Sequence, residues 1–142
     1  TSELRIHLDV YRTTTARAVV HAHPIASIAV SNTNDELPVV HYTAAMIGGT
    51  VRVAPYAVFG SQELSDNVAA ALRDRTVALM RNHGSVAYGD DIESACDRIE
   101  LVDWLAQIHL QAPGGSVLDD AQVGDVIMTA AQRHYSPFRS AT

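Results

Sequence analysis

Two histidines, His21 and His23, lie at the end of an apolar segment, residues 18–23, and a third, His83, follows in a polar turn far downstream. Alternate side chains of a β-strand leave the same face of a sheet, so a strand over this segment would point His21 and His23 in one direction. Three imidazoles could hold a divalent cation and leave one coordination position open, which is typical of catalytic metal sites. Two buried histidines with separate polar partners would show the same spacing, and the pair alone does not decide between these interpretations.

The chemistry of such a site would be Lewis-acid chemistry. A cation bound by three neutral imidazoles keeps its charge and can polarise the carbonyl of a hydroxy-carbonyl compound. It would then stabilise an enediolate, which is the difficult species when a carbon–carbon bond beside a carbonyl breaks. A carboxylate or a further imidazole must move a proton in this reaction, and the spacing of the residues does not identify it.

Strands and helices that alternate along the chain must position these histidines. Leu4, Leu8 and Tyr11 have helical spacing and predict a first helix that Ser2 caps. Short apolar runs predict strands, and the alternation favours an α/β or α+β fold with a central sheet covered by helices. The predicted strands or extended segments are residues 18–23, 37–42, 51–54, 76–80 and 85–88. The predicted helices are residues 2–12, residues 25–30, one after Ser61, one from Asp90 or Asp91, and one from Asp119 or Asp120 to about Arg133. The apolar face of the helix from Asp90 or Asp91 is predicted to consist of Ile92, Ala95, Ile99, Val102 and Leu105.

Length, charge and cysteine content exclude several classes of protein. The 142 residues predict a single domain, and ten Lys and Arg against sixteen Asp and Glu leave no basic run that could follow a nucleic acid. No apolar stretch approaches ~20 residues, so no membrane span is predicted. Cys96 is the only cysteine and is predicted to be a small buried residue inside a helix. Without an internal disulfide or a signal-peptide pattern, we expect a cytoplasmic protein.

Six short segments occur in a characteristic order: SELRIH at 2–7, AVVHAHP at 18–24, HY at 41–42, APYAVFG at 54–60, ELS at 63–65 and NHG at 82–84. Together they resemble the class II aldolase and adducin family over nearly the whole chain. The resemblance implies an α/β fold, a three-layer α/β/α sandwich around a largely antiparallel central sheet. It also implies a cytosolic homotetramer whose active sites lie between neighbouring subunits.

The resemblance also implies a ligand set. The family's ligands for zinc or a similar divalent ion, such as manganese or cobalt, match His21, His23 and His83. A glutamate that moves the proton and can complete the metal shell matches Glu3. The related sugar-phosphate 4-epimerases carry aspartate at this position, so Glu3 implies a carbon–carbon lyase. Non-catalytic adducin-like heads lack the metal-binding histidines, which are all present here.

Two tyrosines and two hydroxyl residues match other parts of the family's site. Tyr42, which follows a histidine, and Tyr135, near the C-terminus, match tyrosines that reach the site of the neighbouring subunit, where one donates a proton. Thr1 and Ser2 match the last small hydroxyl residues of the phosphate site. Family members have a further N-terminal block before the residue that matches Thr1, and the single domain over residues 1–142 is predicted to lack it.

The predicted function is that of a divalent-metal lyase that cleaves a short hydroxy-carbonyl substrate or a sugar phosphate through a metal-stabilised enediolate. A decarboxylase for a 3-oxo acid phosphate would use the same metal and a similar intermediate, and the sequence does not separate the two. A non-catalytic assembly module, as in adducin heads, is a third hypothesis, because most phosphate-binding loops of the family lie in the N-terminal block. No nucleic-acid or membrane partner is expected.

Overall fold

A five-stranded sheet lies at the centre of the computed structural model, which describes residues 2–133. Helices alternate with strands along the chain, as the apolar periodicity predicts. None of the described helices is both long enough and apolar enough to cross a membrane. In chain order the elements are α1 (Leu4–Thr13), β1 (Ala18–Ala22), α2 (Ile25–Thr33), β2 (Glu36–Leu37), a 3-10 helix (Tyr42–Ile47), β3 (Val51–Ala54), α3 (Gln62–Ala71), β4 (Val77–Met80), β5 (Gly84–Gly89), α4 (Ile92–Gln111) and α5 (Asp120–Gln132).

The strand order in the sheet is β1-β5-β4-β3-β2. β3 and β4 run parallel, and the other three neighbouring pairs run antiparallel. The prediction of a largely antiparallel sheet is therefore confirmed. In the pairing of β1 with β5, His21 lies opposite Val86 and Ala22 lies opposite Ser85. This register places the end of β1 beside the start of β5.

Helices cover both faces of the sheet. Val77 and Leu79 of β4 point into a first core shared with α2 and α4, whereas Ala78 and Met80 point into a second core shared with α1 and α3. All four side chains are 0% exposed, which explains why this strand is a continuous apolar run rather than an alternating one. The three-layer α/β/α sandwich implied by the family resemblance is confirmed.

The buried face of α1 differs from the apolar stripe that predicts the helix. Ile6 and Val10 are each 1% exposed and pack in the second core. Leu4, Leu8 and Tyr11 are 51%, 40% and 45% exposed. Both sets have helical spacing, so periodicity predicts the helix without deciding which side it buries.

Two predictions for α4 are wrong. Cys96 is exposed rather than buried. It follows the buried Ala95 by one residue, which turns it about 100° around the helix and away from the sheet. Ile92, the first residue of α4, is 62% exposed. Ala95 and the other predicted apolar positions of α4 are buried as expected.

The predicted extended segment, residues 37–42, is mostly not a strand. Only Glu36–Leu37 pairs with β3. Pro38 follows and has no N–H to donate to a neighbouring strand, so the ladder ends there. Tyr42 begins the 3-10 helix instead.

The predicted N-caps of α3, α4 and α5 are confirmed. In each case the side chain of the N-cap residue accepts a hydrogen bond from the N–H of the third helical residue. The three N-cap residues are Ser61, Asp91 and Asp119.

A polar network joins α1 to α3 outside the second core. The carboxylate of Asp9 accepts hydrogen bonds from Ser65 Oγ at 2.7 Å and from Gln62 Nε2 at 3.2 Å. These two hydrogen bonds, that of Ser65 first, lower the pKa of Asp9 below its ordinary value. Gln62 Oε1 also accepts from Arg5 Nη1 at 2.9 Å. The network holds α1 in place, and Glu3 directly precedes this helix.

Replacing Asp9 with alanine is expected to lower the free energy of unfolding by about 1–2 kcal/mol at neutral pH, because Ser65 and Gln62 lose their charged acceptor. Since folding lowers the pKa of Asp9, its carboxylate stabilises the fold above the pKa of an unfolded aspartate and loses this effect as the pH falls through the folded pKa. The difference between variant and wild type should therefore shrink below roughly pH 4. Urea unfolding at neutral pH and at roughly pH 3 measures the difference in free energy of unfolding between Asp9→Ala and the wild type. An equal difference at both pH values would contradict the role of the carboxylate charge.

Candidate metal centre

Three histidine side chains meet at one end of the sheet. His21 belongs to β1, His23 follows this strand, and His83 lies in the turn between β4 and β5. Because β5 pairs antiparallel with β1, this turn lies beside the end of β1. The ring centroids are 4.7 Å apart for His21 and His23, 5.0 Å for His21 and His83, and 5.2 Å for His23 and His83. One ring nitrogen from each histidine lies within 4.8 Å of the other two.

A hydrogen bond of His21 fixes which of its nitrogens can bind a metal. Nδ1 lies 2.8 Å from the carbonyl oxygen of Ser85 and donates to it, because a carbonyl only accepts. Nε2 then carries the lone pair, and it lies 3.0 Å from Nε2 of His23. Two zinc-bound imidazole nitrogens in tetrahedral geometry lie about 3.3 Å apart. The pair is therefore arranged as metal ligands are, with the outer nitrogen of His21 held by the backbone.

Burial favours the neutral form of two of the imidazoles. It is the largest cause of the lowered pKa of His21, and it acts against the Ser85 carbonyl and the charge of Glu3. Burial also lowers the pKa of His83, again against the charge of Glu3. The neutral imidazole is the form that coordinates a metal. The donor type of all three residues, the tautomer of His21 and the lowered pKa values of His21 and His83 fit a divalent cation.

A cavity of about 570 Å³ opens over the three histidines. Its volume lies within the range of small-molecule sites. Glu3, which is 8% exposed, lies on its wall, and so does Ser2. The structure thus brings five of the predicted site residues together. The lining is completed by Tyr56, Ala57, Phe59 and Asn82.

The spacing of residues does not single out Tyr56 and Phe59 as parts of the site. Their side chains are 60% and 66% exposed, although large aromatic residues usually contribute to cores. The available signal is the segment at residues 54–60, which the family resemblance includes without giving it a role. Two exposed aromatic rings beside a polar cluster are a further sign of a binding surface.

Two glycines let the walls of the cavity approach each other. A Cβ atom on Gly84 would lie 2.3 Å from the carbonyl oxygen of Ala22 and 2.7 Å from Cδ2 of His23. Gly60 has a φ of +73°, and a Cβ atom there would lie 2.7 Å from the carbonyl oxygen of Ser2. The first contact lets β5 lie directly against His23. The second lets the loop before α3 close on the segment that carries Ser2.

The turn that carries His83 is held by two other parts of the chain. The N–H of Asn82 donates to Oδ1 of Asn32 at 3.0 Å. The N–H of Arg81 donates to the carbonyl of Ala54 at 3.0 Å. Asn82 has a φ of +56°, a left-handed conformation that asparagine adopts more readily than most residues. The position of His83 therefore depends on α2 and β3 as well as on its own hairpin.

Other residues predicted for the site lie elsewhere. Tyr42 is 50% exposed and does not line the cavity. Its ring lies 4.5 Å from that of His41, which in turn lies 5.0 Å from the ring of Trp104. Thr1 and Tyr135 lie outside the described residues.

Comparison with known proteins shows that the chain is similar to class II aldolases. The sequence profile of the Class II Aldolase and Adducin N-terminal domain matches residues 1–110. The L-fuculose phosphate aldolase of Escherichia coli (strain K12) is 41% identical over 111 residues, which cover 77% of this chain and 52% of that protein. The 5-deoxy-D-ribulose 1-phosphate aldolase of Bacillus thuringiensis is 37% identical over 111 residues, which cover 78% of this chain and 52% of that protein. The chain spans about half the length of the curated relatives it matches.

Solved structures share the fold. That of an L-fuculose 1-phosphate aldolase matches with a TM-score of 0.87 at 31% identity, over 92% of this chain and 64% of that chain. The L-fuculose-1-phosphate aldolase from Thermus thermophilus matches with a TM-score of 0.71 at 29% identity, over 82% of this chain and 65% of that chain. The profile match, the relatives and the fold agree. The chain therefore belongs to the class II aldolase and adducin family.

Proposed function

We propose that the chain carries the metal site of a divalent-metal lyase that cleaves a short hydroxy-carbonyl compound or a sugar phosphate. The observation that carries this proposal is the convergence of His21, His23 and His83 beside Glu3 in one cavity. Relatives at 41% and 37% identity are named as aldolases for sugar phosphates. Three imidazoles whose ring nitrogens lie within 4.8 Å of one another favour a metal site over a purely structural module.

The three histidines would hold the cation. Zinc suits three imidazole ligands, and manganese or cobalt can occupy similar sites. When bound, the cation supplies a Lewis acid that polarises a substrate carbonyl. His21 would bind through Nε2, since its Nδ1 donates to Ser85. A fourth coordination position is left for Glu3 or for a substrate oxygen.

Glu3 is the residue that we propose to move the proton. Its side chain lines the cavity beside the histidines. Its charge opposes the fall in pKa of both His21 and His83, as expected of a carboxylate close to them. In the cleavage direction the substrate hydroxyl would lose its proton as the carbon–carbon bond breaks and the aldehyde leaves, and Glu3 would deliver a proton from its carboxyl group to the carbon next to the substrate carbonyl.

The remaining residues are proposed to bind or protonate the substrate. Ser2 lines the cavity and would bind the phosphate together with Thr1. Tyr42 and Tyr135 would assist protonation at the site of a neighbouring copy of the chain. The exposure of Tyr42, away from the cavity of its own chain, suits a residue that serves another subunit. We propose a cytoplasmic homotetramer, as the family resemblance implies.

The metal content of the purified protein tests the proposal. Protein prepared without chelator is expected to hold about one divalent ion per chain, measured by inductively coupled plasma mass spectrometry. His21→Ala should lose the ion, because only two of the three imidazoles remain. His109→Ala, which changes a histidine of α4 outside the cavity lining, should keep it. A wild-type protein with far less than one ion per chain would contradict the metal site.

The reaction is tested with the compounds named for the relatives. Aldehyde release from L-fuculose 1-phosphate or 5-deoxy-D-ribulose 1-phosphate should stop after metal removal and return with zinc, manganese or cobalt. Full activity without metal would contradict the proposed mechanism. Release of carbon dioxide from a 3-oxo acid phosphate, without aldehyde release, would identify a decarboxylase instead.

A further inference from the structure

Helix α2 begins without a capping side chain of its own. Its N-cap residue is Pro24, whose carbonyl accepts the first helical hydrogen bond from the N–H of Ile28 at 3.1 Å. The ring of proline cannot accept a hydrogen bond from the free N–H groups of the first turn. Ser27, the third helical residue, is 0% exposed, so water does not reach its side chain. A buried N–H without an acceptor would destabilise this end of the helix.

Asp103 of α4 supplies the missing cap. Its Oδ1 accepts from the N–H of Ser27 at 2.9 Å and from Ser27 Oγ at 3.1 Å. The third N–H of a helix is one that a local N-cap side chain commonly binds. The carboxylate also lies at the positive end of the helix dipole. Gln107 Nε2 donates to Oδ2 at 3.0 Å and fixes the orientation of the carboxylate.

The two ends of α2 adjoin two different metal ligands. His23 directly precedes Pro24, so the start of the helix sets the position of its backbone. Near the other end, Asn32 Oδ1 accepts from the N–H of Asn82, the residue before His83. The helix has nine residues and is about 13 Å long. A rigid element of this length therefore links the loop of His23 to the turn of His83.

We propose that Asp103 is a positioning residue for the metal centre, although it does not line the cavity. By capping α2 from α4, it fixes the helix that sets the distance between His23 and His83. Metal affinity depends on ligand placement within about 0.5 Å, so a helix that shifts or frays weakens the site without any ligand being changed. This inference rests on the proposed function, in which the three histidines bind a divalent cation.

The test compares Asp103→Ala with Asp119→Ala. Both substitutions remove an aspartate that accepts a hydrogen bond from the third N–H of a helix, and Asp119 caps α5 with a bond of 2.8 Å to Gln122. Asp119 does not line the cavity. Co²⁺ is the test cation, because its visible absorption reports the number and geometry of its ligands. Competition with a chelator gives the dissociation constant, and urea unfolding of the metal-free proteins gives their stability.

Asp103→Ala is expected to raise the dissociation constant for Co²⁺ by about 10- to 100-fold and to change its visible spectrum. Asp119→Ala is expected to lower the urea midpoint by a comparable amount while the dissociation constant and the spectrum stay as in the wild type. If the substitutions acted only by lowering stability, Asp103→Ala and Asp119→Ala would both have a lower urea midpoint, and the visible spectrum of bound Co²⁺ would be unchanged in both. Asp103→Asn keeps an acceptor oxygen without the charge, and it should restore most of the affinity.

Asn32→Ala provides an independent measurement at the other end of α2. If Asp103→Ala does not fold, this variant tests whether α2 positions the histidines of the proposed metal site. It should weaken Co²⁺ binding about 10-fold by releasing the Asn82 N–H. The inference is overturned if wild-type Co²⁺ affinity and spectrum persist in Asp103→Ala, or, where that variant does not fold, in Asn32→Ala. If the wild-type protein itself does not bind Co²⁺, the proposed metal site fails, and this inference fails with it.

Discussion

Replacing Gly84 with alanine is expected to weaken metal binding about 100-fold and to lower the free energy of unfolding by about 1–3 kcal/mol. The added Cβ would lie 2.3 Å from the carbonyl oxygen of Ala22 and 2.7 Å from Cδ2 of His23. Ala22 pairs with Ser85, so its carbonyl cannot retreat without disturbing the β1–β5 ladder. The ring of His23 can turn away, but its Nε2 then leaves the position where it faces Nε2 of His21. Either response damages the proposed ligand set.

Gly124→Ala is the matched control for this substitution. Gly124 lies within α5, and apart from its chain neighbours and the backbone of its own helix no described atom lies within 4 Å of an added Cβ. Alanine in the interior of a helix should raise the free energy of unfolding by about 0.5–1 kcal/mol and leave metal affinity unchanged. Urea unfolding of the metal-free proteins and chelator competition measure both quantities. A Gly84→Ala protein with wild-type metal affinity would show that this contact does not position His23.

The histidine pair is the part of the site that the sequence predicts most directly. His21 and His23 point to one side because a strand repeats every two residues, and their rings are 4.7 Å apart in the structure. His83 is different, since its place depends on the antiparallel register between β1 and β5. No local pattern carries that register. The polar turn that holds His83 suggests a third ligand, but only the family resemblance implies that this residue lies beside the pair.

Tertiary contacts decide the features that the sequence does not predict. In α1, the stripe that contains Ile6 and Val10 is buried, whereas the one that begins at Leu4 is exposed, because the packing against α3 and the sheet selects one of two apolar faces. The N-terminal cap of α2 shows more clearly that a residue distant in the sequence can decide local structure. Capping rules consider residues next to the helix in the chain, and at Pro24 they find none that can accept a hydrogen bond. Asp103 reaches this position from another helix.

Replacing Glu3 with glutamine is expected to lower kcat for aldehyde release by about 10²–10⁴-fold. Glutamine has nearly the same shape as glutamate but cannot take up a proton at its side chain near neutral pH. Glu3 is the only carboxylate among the described residues that line the cavity. Its low exposure, 8%, also limits how well water could replace it. The loss should therefore appear in the proton-transfer step, with the cavity otherwise intact.

The metal affinity of Glu3→Gln distinguishes the two roles proposed for this residue. If Glu3 only moves the proton, the three imidazoles should still bind zinc with a dissociation constant within about 10-fold of the wild-type value. If Glu3 is also a ligand, the dissociation constant should rise further, because a charged oxygen ligand is replaced by a neutral one. Chelator competition on the metal-free variant measures this without reference to activity.

Glu63→Gln is the control for the change of charge. Glu63 is exposed in the first turn of α3 and does not line the cavity, so this variant should keep the wild-type kcat and the wild-type metal affinity. A low kcat in Glu3→Gln with nearly unchanged metal affinity would assign the proton to Glu3. A wild-type kcat in that variant would contradict the assignment. The proton would then have to move through another lining group, such as one of the imidazoles or the hydroxyl of Tyr56, or through a group outside the cavity, since Glu3 is the only carboxylate among the described residues of the lining.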